Sequence, residues 1–179
     1  MKIRWPRFNL YLCVMLALTL GLAAGCQTEK HKRKYQPSTL SVHVEVRRDG
    51  TNLSERVPIY RAHPFMVNVD REPILTELNL AGAAVVEVVG GFALRLQFDR
   101  QGSWILEQSS VGNLSSRFAI HCEFGQKLKE KRWLAAPIIS HRISDGVMVF
   151  TPDATREEAD EIVLGLNNIA RGVKKKTAW

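Results

Sequence analysis

Along residues 39–172 the apolar positions switch between a period of two and a period of 3.6. These are the spacings that gather side chains on one face of a strand or one stripe of a helix. Leu40, Val42, Val44 and Val46 alternate with polar residues and predict a half-buried strand over 40–47, with Asp49-Gly50 as a turn. Two shorter extended pieces are expected at 57–61 and 65–69; Pro58, which has no N–H to give a ladder, suits an edge. A helical turn is expected over 76–81. Residues 84–89, Gly90-Gly91 and 92–98 then read as a hairpin with Phe92, Leu94, Leu96 and Phe98 on one face.

The second half repeats the alternation. A helix is expected over 103–112 with Trp104, Ile105 and Leu106 as its apolar start, and Trp104 is placed in the core. Phe118, Ile120, Cys122 and Phe124 share one face of a strand, which makes Cys122 a small buried hydrophobe. Residues 127–132 read as a charged loop, 133–139 as an extended apolar piece and 147–150 as a strand. The final helix has the strongest local signal. Thr155 and Glu158 have capping-box spacing, Ala159, Ile162, Val163, Leu166, Ile169 and Ala170 form a stripe, and Gly172 marks its stop. The sum is an α+β fold: a mostly antiparallel sheet with two amphipathic helices packed on one face, in a single domain over 39–172.

The first 25 residues do not share this pattern. Lys2, Arg4 and Arg7 precede an apolar run from Leu10, and Ala23, Ala24 and Gly25 lead to Cys26. A positive start, a short apolar stretch and small residues before a cut make a secretory signal. The 16 residues from Leu10 to Gly25 fall short of the roughly 20 a spanning helix needs. The stretch Leu22-Ala-Ala-Gly-Cys26 resembles the bacterial lipoprotein signal, which implies lipidation of the Cys26 thiol; Ala23 stands where that pattern most often has Leu. Residues 26–38 have no apolar periodicity and read as a basic flexible tether, and 173–179 as a basic tail. The expected location is the cell envelope, membrane-anchored through Cys26 and facing the periplasm. Gln27, rather than aspartate, after the cysteine favours the outer membrane.

Charge changes the picture by its position. The chain carries 25 basic and 18 acidic residues, net +7. The excess lies in the two ends, and residues 37–170 carry a net −3. Nucleic-acid binding needs positive charge on the folded surface that meets phosphate, so no nucleic-acid partner is expected.

Candidate chemistry is sparse. His31, His43, His63, His121 and His141 are scattered, no HExxH or CxxC occurs, and no metal or other cofactor is expected. His43 with Glu45 and His121 with Glu123 are spaced as outward pairs on strands, and a solvated polar face explains them. There is no GxSxG elbow, P-loop or GxGxxG. Glu157, Glu158, Asp160 and Glu161 fall at the start of the last helix, where acids meet the positive dipole end. No catalytic constellation emerges. The binding hint is Trp133 beside Lys127, Lys129, Lys131 and Arg132: an aromatic ring at a basic rim where a partner protein could dock, or a core ring.

Several short stretches occur in an order that resembles the first periplasmic head of SecD. They are Phe92-Ala-Leu-Arg-Leu-Gln-Phe98, Gly102 before a helix, Arg117-Phe-Ala-Ile120, Ala135-Ala-Pro137, Ile143-Ser-Asp-Gly146 and Thr155-Arg-Glu-Glu-Ala159. Ser115-Ser116, Glu123-Phe124 and Pro152 stand where that family has glycine or Asp-Gly turns. The multi-helix membrane part that couples the family to proton flow has no counterpart here, so proton-driven transport is not implied. The resemblance implies a module that touches other polypeptides outside the cytoplasm; with the signal and the lack of a catalytic constellation, the expected function is that of a non-enzymatic lipid-anchored protein that binds envelope or exported proteins, linked to protein export or envelope assembly. The rival expectation is a small or lipidic ligand held in a cleft between helix and sheet.

Overall fold

Nine strands and two helices are seen in a computed structural model that describes residues 36–47 and 53–177, with side chains to residue 172. Strands β1 (Thr39–Val44), β4 (Leu75–Thr76), β7 (Phe118–Phe124) and β8 (Glu130–Ala135) make a four-stranded sheet in the order β4-β1-β7-β8. Strands β5 (Leu80–Val88), β6 (Gly91–Phe98) and β9 (Val147–Phe150) make a three-stranded sheet in that order, and β2 (Ser54–Ile59) with β3 (Phe65–Asp70) form a hairpin. Every pairing is antiparallel. Helix α1 spans Arg100–Gly112 and α2 spans Arg156–Thr177. The fold is the α+β arrangement expected, with the strands divided among three sheets.

The main core is made by the alternate residues that the pattern singled out. Leu40, Val42 and Val44 of β1 meet Phe118, Ile120, Cys122 and Phe124 of β7, Leu94, Leu96 and Phe98 of β6, and Met148 and Phe150 of β9. Leu106 closes it from α1, and Ala159, Ile162 and Leu166 from α2. Cys122 is fully buried, and desolvation pushes its thiol far above the ordinary range. The capping box of α2 forms in both directions: Glu158 N–H donates to Thr155 Oγ1 (3.2 Å), and Thr155 N–H to Glu158 Oε2 (2.8 Å).

The opposite face of the four-stranded sheet is covered as well. Val57, Ile59, Val67 and Val69 of the β2–β3 hairpin pack on Ala119 and Ala136 as a second core, with Phe65 and Trp133 at its margin. The hairpin is stitched to the end of β1 by the Glu45–Val69 bridge and by Val46 N–H donating to Asn68 C=O (2.9 Å). Pro58 lies in β2, which pairs only with β3.

Five expectations are corrected. His43 is not on a solvated face: it is 9% exposed beneath the hairpin, with Nδ1 at 2.8 Å from Asp70 O and Nε2 at 3.0 Å from Ser41 Oγ. Trp104 is 63% exposed, because α1 turns Leu106 and Ser110 inward instead. The charged loop is shorter than 127–132, since β8 begins at Glu130; a left-handed pair, Lys127 (φ 60°) and Leu128 (φ 53°), makes the turn. Gly172 does not stop α2, which runs on to Thr177. The helix over 103–112 begins three residues earlier, where Asp99 Oδ1 accepts from Gly102 N–H at 2.7 Å as its N-cap. The signal, Cys26 and residues 26–35 of the tether lie outside the described residues.

Candidate functional site

The basic run and Trp133 are separated by the fold. Lys127 and Lys129 stand exposed on the turn before β8 and carry no ion pair among the described residues. Lys131 points outward and is held at 2.9 Å by Glu123 Oε1. Arg132 points the other way. Its side chain is only 11% exposed, and its guanidinium makes a bidentate pair with Glu158 (2.9 and 3.1 Å) while also donating to Asp153 O (3.1 Å). That pairing raises the basicity of Arg132 and holds the Glu158 carboxyl below its usual range, in each case chiefly through the hydrogen bond between them. Arg132 therefore positions neighbours, and Lys131, paired with Glu123, lines the same cleft as Trp133.

Trp133 sits half-buried between the two alternatives of core and rim. Its ring lies 5.2 Å from the His43 ring and 5.1 Å from the His121 ring, which fixes its inner edge under the hairpin. Burial lowers the His121 pKa below its ordinary value; Glu123 and Glu55 oppose this, and His43 and Lys131 add to it. The outer edge of the ring faces a cleft of about 370 Å³ walled by Pro58, Tyr60 and Pro64 from the hairpin, with Arg61, Lys131 and Asp153 among its polar residues.

The wall is rigid for identifiable reasons. Tyr60 holds φ 65°, a left-handed value that a side chain with a Cβ adopts at a cost of about 1–2 kcal/mol. Its ring tilts over Phe65 at 5.8 Å, and Arg117 lies over the other ring at 5.2 Å from its centroid. Arg61, next in sequence, donates its backbone N–H to Asp153 Oδ2 (2.8 Å) and its Nε to the same oxygen (3.2 Å). The hairpin tip is thus tied to the corner between β9 and α2. Two prolines and two large aromatics thus stand beside Arg61, Lys131, Arg132 and Asp153 around the cleft.

Trp133, Lys131 and Arg132 were legible as a cluster in the sequence; Pro58, Tyr60, Pro64, Arg61 and Asp153 were not. The available signal was Pro58-Ile-Tyr60 and Pro64 bracketing a hairpin turn that has no glycine. Among the described residues no group of three His, Cys, Asp or Glu side chains converges. A second cleft, about 350 Å³, lies between β9 and residues 137–143. Neither of these two clefts is between a helix and a sheet.

Comparison with known proteins places the fold. No family model and no curated protein matches the sequence. The architecture is that of an α+β head with a SecD-like fold. Among solved structures the chain is similar to SecDF, described as a membrane component that enhances protein export. The two share 19% identity with a TM-score of 0.55 over 93% of this chain and 72% of that one. A SecDF structure in a super-membrane-facing form matches at 21% identity and a TM-score of 0.55, over 79% of this chain and 21% of that one. The resemblance seen in the sequence is therefore met at the level of fold. No helix among the described residues is long and apolar enough to cross a membrane.

Proposed function

We propose that the chain is a non-enzymatic, lipid-anchored envelope protein, tethered through acylated Cys26, whose head domain binds other polypeptides at the Trp133 cleft. The observation that carries this reading is the rigid wall of Pro58, Tyr60, Pro64 and Trp133 around an open cleft. A likeness of fold to a protein that enhances export supports a place beside exported or assembling envelope proteins. Lipidation rests on Leu22-Ala-Ala-Gly-Cys26. A triacylated cysteine would hold firmly, since each buried methylene contributes about 0.8 kcal/mol and more than one chain is present. The basic tether then keeps the domain near the bilayer, with the outer membrane favoured by Gln27.

Two measurements test this. Mass spectrometry of the mature amino terminus, with membrane fractionation, should find acylated Cys26 in a membrane fraction. A photo-reactive residue in place of Pro64 should cross-link exported polypeptides in cells, and Trp133→Ala should remove most of that yield while the domain stays folded. An unmodified Cys26 in soluble protein, or cross-linking indifferent to Trp133, would sink the corresponding half of the proposal.

A further inference from the structure

The second cleft has walls of an unusual kind: both are strand edges. On one side is β9, at the edge of its sheet and paired only with β6. Phe98 N–H donates to Gly146 C=O at 2.9 Å, which sets the phase of that pairing. Met148 and Phe150 therefore turn their backbone groups toward β6, and Val147 and Val149 turn theirs outward. Asp145 Oδ1 takes the Val147 N–H at 3.1 Å. The N–H and C=O of Val149 have no partner among the described residues.

The facing wall is the continuation of β8. Phe118 N–H donates to Pro137 C=O (3.0 Å), and Ile139 N–H donates to Ser116 C=O (2.8 Å), on either side of the Arg117–Ile138 bridge. The N–H and C=O of Ile138 consequently point away from β7, and they too have no partner among the described residues. Ile138 and Val149 line the same cleft, and their side chains are 55% and 50% exposed. At its other end the gap is closed, because Asp153 N–H donates to Leu134 C=O at 2.8 Å. The two edges thus form a fork, pinned at Leu134 and Asp153, parted at Ile138 and Val149, and joined again by residues 140–146, of which Ser140, His141, Ile143 and Asp145 line the same cleft.

We infer that this fork is a slot for one extended segment of another polypeptide, which adds as a strand between β9 and the continuation of β8. With a rise of about 3.3 Å, a strand spacing of about 4.8 Å and a sheet thickness of about 10 Å, an extended residue fills about 160 Å³. The cleft of about 350 Å³ thus encloses roughly two residues, and the rest of the segment leaves it on its open face. Backbone groups supply the hydrogen bonds and alternate side chains meet the apolar walls, the mode of strand addition. Beyond the Asp145 carboxylate on Val147 N–H, the edge carries little protection. Val147, Met148, Val149 and Phe150 include no Lys and no Pro. The opposite edge of the same sheet is blocked: the Asn167 amide of α2 accepts from Ala83 N–H (3.0 Å) and donates to Ala83 C=O (2.8 Å), as a neighbouring strand would.

Charge selects the occupant. Arg95 stands opposite Val149 on β6, exposed and without an ion pair among the described residues. Its side chain is one strand from the slot and favours a carboxylate on the incoming segment. A second copy of this chain is disfavoured, because its β9 edge, Val147-Met-Val-Phe150, offers Arg95 no carboxylate. This slot is separate from the Trp133 cleft and does not depend on it.

The test uses the full chain and a synthetic ten-residue peptide of alternating Val and Thr with a central Glu. Its controls are the same peptide N-methylated on alternate amides in each of the two phases. Amide hydrogen exchange read by NMR should slow at least tenfold at Val149 and Ile138 with the unmodified peptide. Each methylated form should lose that protection at one of the two edges, one at Val149 and the other at Ile138, because a strand between two neighbours turns alternate backbone groups to opposite sides. Val149→Pro, which removes the outward N–H at that edge, should abolish the protection at Ile138 while the β6–β9 amides stay protected. Should that variant not fold, Val149→Lys at the same edge is the substitute. Arg95→Glu should weaken binding at least threefold, and Trp133→Ala should leave it unchanged. The inference is overturned if either methylated peptide protects both amides as well as the unmodified one, or if exchange at Val149 and Ile138 is unaffected at saturation. It is also overturned if those amides become protected without peptide as the protein dimerises.

Discussion

Two tryptophans that look alike in the sequence have opposite roles. Trp104 and Trp133 each open an apolar triplet, yet Trp104 is 63% exposed while Trp133 is wedged against His43 and His121. The difference is a matter of phase. In α1 the inward stripe runs through Gly102, Leu106 and Ser110, and Trp104 is about 200° around from it at two residues from each neighbour. Trp133 instead shares its strand face with the rings beside it. Trp133→Ala should therefore lower stability by about 2 kcal/mol, roughly half of what a fully buried aromatic loses. Trp104→Ala should change it by less than about 0.5 kcal/mol. Urea denaturation of the two variants, compared at equal slope, decides the matter. Comparable losses would mean that Trp104 packs on something that its exposure does not reveal.

At the scale of elements, the strands and both helices were legible because their apolar periods are clean, as in Phe92 to Phe98 and Ala159 to Ala170. What could not be read was which face a second layer covers. His43 and His121 sit at polar positions of good alternating strands, and nothing local says that a hairpin forty or more residues distant in the case of His121 will be laid over them. The Trp133 cleft was hidden for the same reason, since its proline wall comes from β2 and the turn after it. The start of α1 was missed because Arg100 and Gln101 are not apolar, although Asp99 caps the helix. Gly102 is dictated by space: a Cβ there would lie 2.9 Å from Asn79 O and 3.1 Å from Phe98 Cβ. Gly102→Ala should cost about 1–3 kcal/mol by overpacking, seen as a lowered thermal midpoint. An unchanged midpoint would mean that the 3-10 turn over Glu77–Asn79 can move aside.

The hairpin should also respond to pH. His121 has a folded pKa below its ordinary 6.5, so the unfolded chain binds the proton more readily. Its contribution to stability is complete above pH 6.5 and is lost progressively as pH falls through the lower folded value. Chemical denaturation followed by Trp133 fluorescence should show stability declining below pH 6.5 in the native chain. His121→Phe should flatten that part of the profile. An identical decline in both would assign it to other groups.

For the whole molecule, the decisive joint is the cluster of Arg61, Asp153, Arg132 and Glu158, which ties the hairpin tip, β8 and the start of α2 together. Glu158 both caps α2 and pairs with Arg132, so Glu158→Gln removes a charge that two elements use. The expected loss is about 2 kcal/mol, in the range of a hydrogen bond to a charged group, and the amides of the hairpin and of the first turn of α2 should exchange faster together. Faster exchange in only one of them would show that the cluster is not a shared joint. The exposed Arg61, whose side chain is 54% exposed, contributes little of this by itself.

One contact on α2 bears on how the domain would carry a mechanical load. Gly165 has no Cβ, and one would meet Ser38 Oγ at 2.2 Å and Ser38 N at 2.6 Å, so residue 38 lies flat against the helix. Asn168 adds a grip by donating Nδ2 to Gln36 O at 3.2 Å. Just beyond this clasp the chain becomes β1, flanked by β4 and β7 on its two sides. A pull applied at residue 36 along that strand would therefore strain the rungs on both its sides in shear, all at once, instead of peeling them one after another.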